Sequence, residues 1–108
     1  MFEEFSSAYY LGRMYVEPHD TERPVMQRDD FETVQRDVYR GEEDVVMKVD
    51  RHHLVVDGDS SVPQGTLGVP KSYLESLDVR NPPAFKEVLL AKPRHAARIL
   101  SLTGERGG

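Results

Sequence analysis

Cysteine is absent from the 108 residues of this chain, which rules out disulfides and thiolate metal sites. Isoleucine is nearly absent too, with one residue against thirteen Val, and Lys is scarce, with four residues against ten Arg. No apolar run approaches the roughly 20 residues that a helix needs to cross a bilayer. The opening MFEEFSSAYY has neither the basic nor the apolar region of a secretory signal. These absences lead to the expectation of a cytoplasmic protein with no membrane partner. A GxSxG elbow around any serine and a Gly-rich phosphate loop are missing as well, so the enzyme classes with the clearest local signatures find no footing here.

What the chain does have is acid: 19 Asp and Glu against 14 Lys and Arg, for a formal charge of −5. Two accounts of this composition compete. An acidic, Lys-poor surface suits molar salt, where carboxylates hold hydration and a Debye length of roughly 3 Å removes their mutual repulsion. Codon composition in a GC-rich genome also favours Arg over Lys and Val over Ile. The first account is the expectation carried forward. With 12.3 kDa to fold, one hydrophobic core is affordable and two are not. Residues 1–108 are therefore expected to form one domain, with 103–108 frayed.

Residues 45–70, VVMKVDRHHLVVDGDSSVPQGTLGVP, hold most of the β-branched residues and turn signals. They read as a meander of three strands, at 45–49, 54–56 and 66–69. Asp50 to His53 lack the Asn-Gly chemistry of a tight hairpin, so a looser loop is expected there. Asp57-Gly58-Asp59-Ser60-Ser61 marks the next break, and Val62-Pro63-Gln64-Gly65 fits a type I turn with Pro at its second position. An earlier strand is expected over 7–16, where aromatic residues and Val dominate. Asp20 or Thr21 then caps a helix with Pro24 in its first turn, and Phe31, Val34 and Val38 form its apolar stripe up to a stop at Gly41.

Residues 86–92 fit a helix or a strand when taken alone. An internal comparison favours the strand: TLGVPKSYLESL laid over LLAKPRHAARIL superposes Leu67 on Leu90, Pro70 on Pro93 and Leu77 on Leu100. Each segment reads as a strand followed by a Pro-led amphipathic helix. The expected fold is α+β with a largely antiparallel sheet, in the order β-α-β-β-β-α-β-α, and helices on one face.

The opening MFEEFSSAYYLGRMYVEP, with VVMKVDRHHLVVDGD and VPQGTLGVPKSYLESL, resembles a family of small haloarchaeal proteins of unknown function over most of the chain. That resemblance implies a salt-adapted protein and supplies no activity and no functional residues. A second, local resemblance covers residues 65–79. There Val69, Pro70, Lys71, Leu77 and Val79 look like the strand-Pro-helix step of swapped-hairpin regulators of the AbrB type, which implies DNA association. The chain departs from that motif at Leu74 and Glu75, where Arg is usual, and at Asn81-Pro82-Pro83, where a Gly-Asp turn is usual.

Asp50, His52, His53, Asp57 and Asp59 are the densest set of potential metal ligands. Adjacent His52 and His53 point to opposite faces of an extended chain, and Asp57-Gly58-Asp59-Ser60 lacks the later Gly and the bidentate Glu of a calcium loop. No metal and no cofactor is expected. His19 falls in a turn and His95 on a charged helix start, and neither has an evident catalytic partner. The function expected is a non-enzymatic protein-interaction domain that binds a partner or a second copy of itself, with Tyr9, Leu11 and Tyr15 as contact residues on one face of the first strand. The competing reading of that face is that the helix carrying Phe31, Val34 and Val38 covers it. The alternative function is an acidic DNA-associated regulator using Lys71, Arg80, Lys92, Arg94 and Arg98, although the negative charge disfavours nucleic acid.

Overall fold

The computed structural model describes residues 3–39 and 44–103. In chain order the elements are β1 (Glu3–Glu4), β2 (Ala8–Pro18), β3 (Val25–Gln27), α1 (Arg28–Val38), β4 (Val45–Val49), β5 (His52–Asp59), β6 (Thr66–Val69), α2 (Tyr73–Ser76), β7 (Ala84–Ala91) and α3 (Pro93–Thr103). The α+β class stands. The expected order is corrected by two strands, β1 and β3. The Gly41 stop and the tail beyond Thr103 lie outside the described residues.

The expected open, largely antiparallel sheet is corrected more deeply. The strands follow one another as β1-β2-β6-β3-β5-β4-β7, and β7 pairs back onto β2, closing a barrel of six strands. Two neighbours in it are parallel, β2 with β6 and β3 with β5. Closure satisfies both edges of β2: β7 lies along 8–16 on one side, while β1 and then β6 share the other. Paired on both sides, β2 itself offers no template for a further strand.

Hydrophobic burial explains why the closure holds. Met14, Val16, Met47, Val49, Leu54, Val56, Leu67, Val88 and Leu90 meet in one buried cluster. Val46 and Val55, which alternate with inward residues, are buried as well, so the barrel wall is covered from outside where they sit. Ala96 of α3 belongs to the same cluster, with Ile99 and Leu100 packed against it. Helix α1 lies across β3 and β5 and contributes Val34, with the Phe31 ring against Gly58.

Local chemistry accounts for most departures from the sequence reading. Val25–Gln27 is drawn into the barrel between β5 and β6 and is not the start of a helix. The helix begins at Arg28, and Gln27 caps it by accepting the Asp30 N–H at 2.9 Å. Pro24 precedes β3, and its carbonyl accepts the Asp57 N–H at 3.0 Å. Parallel pairing with β3 also carries β5 through Asp57 and Gly58 to Asp59, past the expected break. Asp50 and Arg51 form a tight two-residue connection between Val49 and His52, because Asp50 takes a left-handed φ of 54°. The turn before β6 is set one residue later than expected: Thr66 N–H donates to the Pro63 carbonyl, with Gly65 at φ 79° in the third position.

Both prolines follow strands, but the expected Pro-led helix is found only at Pro93 and is corrected at Pro70. Pro93 is the first residue of α3. Pro70 opens a hydrogen-bonded turn, its carbonyl accepting the Tyr73 N–H at 2.8 Å, three residues ahead of the short α2. Residues 84–91 are strand, not helix.

Candidate functional site

Two surface features rise from the outer face of the barrel where β2 and β7 close it. The first begins with a break in alternation. The β2–β7 register shifts between Tyr10 and Gly12, and Gly12 takes a φ of 141° that a side chain would strain. One extra residue moves the later part of the strand to the other parity. Tyr9 is opposite buried Leu90, while Tyr15 is opposite exposed Phe85. The expected shared face of Tyr9, Leu11 and Tyr15 is therefore corrected: the bulge at Leu11 and Gly12 places the two tyrosines on opposite faces.

Tyr9 and Leu11 pack against the core. Tyr15 and Phe85 turn outward, with rings stacked at 4.6 Å and an interplanar angle of 28°, yet 49% and 54% exposed. The next outward pair along the ladder is Arg13 and Glu87, with Arg13 Nε 3.7 Å from Glu87 Oε1 and its guanidinium carbon 5.9 Å from the Phe85 ring centre. Helix α1 contacts β3 and β5 on another part of the wall, so its Phe31, Val34 and Val38 stripe is not what faces this pair. Phe85 escaped the sequence reading because β7 had no assigned face; the alternation of Phe85 and Glu87 against Val88 and Leu90 was the signal available.

The second feature is a pocket of about 210 Å³ beside the start of α3. Across the strands, His53 of β5 is opposite Lys48 of β4, and Lys48 is opposite Leu89 of β7. His95, in the first turn of α3, brings its ring edge-on to His53 with 6.0 Å between centres. Phe5, Ser7, Ala8 and Ala91 complete the lining. Although His53 is exposed, its imidazole is held below the ordinary pKa of 6.5, first by partial desolvation on its pocket side and then by electrostatic repulsion from His95, Lys48 and His52. Its meeting with His95 joins residues 42 positions apart in sequence, for which no local pattern exists.

The remaining candidates are dispersed. Asp50 is held by Lys86 at 2.9 Å, Asp57 by Arg23 at 3.3 Å, and Asp59 accepts from the Ser61 hydroxyl and N–H at 2.7 and 2.8 Å. Those hydrogen bonds from Ser61 lower the Asp59 pKa, with Arg28 and His19 adding to the effect. Among the described residues no three His, Asp or Glu converge as metal ligands. His19 lies over Gly68, with Nε2 3.3 Å from Glu17.

Nor do the basic residues gather. Lys71 follows β6 and lines an open hollow with His19 and Asp20, and Arg80 pairs with Asp78 at 3.5 Å before β7 begins. Lys92, Arg94 and Arg98 follow β7, whose eight residues separate the two groups by roughly 25 Å. Lys92 is paired with Glu4 and lies over the Tyr9 ring, while Arg94 and Arg98 are exposed on α3.

A closed, mixed six-stranded barrel, with three helices among the described residues, is the class these elements define. The chain belongs to a family of unknown function, DUF5802, matched over residues 1–106. No curated protein and no solved structure matches it. No helix among the described residues is long and apolar enough to cross a membrane.

Proposed function

We propose that this protein is a non-enzymatic interaction domain that pairs with a second copy of itself through the outer face of β2 and β7. The carrying observation is the stacked Tyr15–Phe85 pair, two large rings left half in solvent on a rigid wall. As a cross-strand pair alone, such rings contribute roughly 0.2–1 kcal/mol to the sheet. Their exposure leaves further apolar area to bury, and aromatic anchors dominate interface energies.

The neighbouring charges favour a second copy as the occupant. Arg13 and Glu87 stand side by side at 59% and 61% exposure. A two-fold axis near Phe85 sets each Arg13 against the partner's glutamate, so the patch is complementary to itself. A body of 33 × 27 × 27 Å has faces wide enough for the roughly 800 Å² per partner that a stable dimer buries. In a salt-adapted cytoplasm the charge pairs are screened and the aromatic contact carries the association. The AbrB-like DNA reading has no comparable support, because its basic residues lie in two separate groups.

Sedimentation velocity over a concentration series tests the proposal. Wild type is expected to dimerise, Tyr15→Ser with Phe85→Ser to stay monomeric with little loss in melting midpoint, and Arg13→Glu to associate more weakly at low salt. Adding Glu87→Arg to Arg13→Glu restores opposite charges and is expected to restore association. A monomeric wild type, or serine variants that melt earlier while associating normally, would overturn it.

A further inference from the structure

The pocket beside α3 has a chemistry that the pairing surface does not use. We propose that it is a binding site for a small phosphate-bearing anion, held by Lys48, His53, His95 and the Ser7 hydroxyl.

Charge is the first argument. The protein is acidic overall, yet each charged group acting on His53 is a base: His95 from α3, Lys48 from β4 and His52 from its own strand. The segment 5–8 and β7 line the pocket with Phe5, Ser7, Ala8, Leu89 and Ala91, none of them titratable. Lys86 and Lys92 each hold a carboxylate, whereas Lys48 has no ion-pair partner among the described residues. A concentration of uncompensated bases in a concave, partly apolar site is stabilised by an anion.

Geometry narrows the class. The lining residues that can donate come from four separate segments: Lys48 of β4, His53 of β5, His95 of α3 with its ring edge-on to that of His53, and Ser7 ahead of β2. Donors arriving from several directions match the three terminal oxygens of a phosphate better than the two coplanar oxygens of a carboxylate. A volume of about 210 Å³ admits a small ion or a compact ester and is below the ordinary range of pockets for larger ligands. Phe5 and Leu89 give the lining an apolar part, which suits the organic group of a phosphomonoester.

The site is independent of the pairing surface. Leu89 is four residues along β7 from Phe85, a separation of roughly 13 Å. Failure of one proposal therefore leaves the other standing.

The experiment follows the imidazole resonances of the full chain by NMR during titration with inorganic phosphate, phenyl phosphate and acetate. Saturable movement of His53 and His95 is expected with both phosphates and not with acetate. Tighter binding of phenyl phosphate assigns the site to esters, and equal binding assigns it to the free ion. Sulfate, whose charge is constant across the histidine range, serves for the pH arm. A bound anion favours protonated imidazole, so affinity is expected to rise from about pH 8 to about pH 5.5. Lys48→Gln and, separately, His95→Gln are expected to weaken binding about tenfold each while the sedimentation behaviour stays that of wild type. Two variants on different elements guard against one that fails to fold. Linear, unsaturated shifts, or phosphate affinities in both variants equal to wild type, would overturn the assignment.

Discussion

At the scale of the residue, Tyr39 shows how one hydroxyl completes a sheet. The β4–β7 ladder stops at Met47 opposite Leu90, which leaves the carbonyls of Val46 and Ala91 without ladder partners across that gap. The fully buried Tyr39 hydroxyl sits between them, 3.1 Å from the Val46 oxygen and also bonded to the Ala91 oxygen, and it accepts the Val46 N–H at 3.4 Å. Removing the hydroxyl leaves buried acceptors facing a ring edge. Tyr39→Phe is expected to cost about 1–3 kcal/mol, read as a lower urea midpoint at unchanged slope. A loss below about 0.5 kcal/mol would mean that water or another group takes the place of the hydroxyl.

At the scale of the element, the β4–β5 hairpin turns on a conformation that few side chains accept. Asp50 holds a φ of 54° and places its carboxylate 2.9 Å from Lys86 of β7. These two roles separate by substitution. Asp50→Asn keeps the tolerance for left-handed backbone and loses a partly exposed ion pair, so a change within about 1 kcal/mol is expected. Asp50→Val adds a β-branched side chain where the left-handed region is costly, and an additional loss of about 1–2 kcal/mol is expected in urea denaturation. Equal losses would assign the effect to the ion pair alone.

Elements of this kind also mark how far the sequence could be read. The strands around Val45, Val55 and Leu67 were legible because β-branched runs between turn formers are a local signal. Pro93 was legible as a helix start because its fixed φ and missing N–H suit a first helical turn. Val25–Gln27 was not, since three residues are too few for a period and their strand character comes from β5 and β6, more than thirty positions away. The tight Asp50 turn was hidden because its usual marker, Gly, is absent. Gly12 within an aromatic strand was the available sign of a bulge, and the bulge decides which tyrosine faces water.

At the scale of the whole molecule, closure and charge remain. Closure of β2 on β7 joins residues separated by most of the chain, and neither strand carries a mark of it. Charge was legible in full, and it leads to the last prediction. The exposed pairs Arg36–Asp37 and Arg80–Asp78 contribute little and weaken with salt. If charge pairs governed stability, added salt would therefore lower it. The net charge of −5 acts the other way, because its self-repulsion is relieved as the Debye length falls from about 10 Å at 0.1 M to about 3 Å at 1 M. Simple screening is nearly complete by about 1 M, so a midpoint that keeps rising toward about 3 M KCl requires a surface whose carboxylates bind water and cations in concentrated salt. A salt-adapted protein is expected to show that continued rise, and replacing the exposed Asp29, Glu32 and Asp37 of α1 by their amides is expected to flatten it. A thermal midpoint that does not change with salt would leave codon composition as the explanation for a chain so rich in Arg and Val and so poor in Lys and Ile.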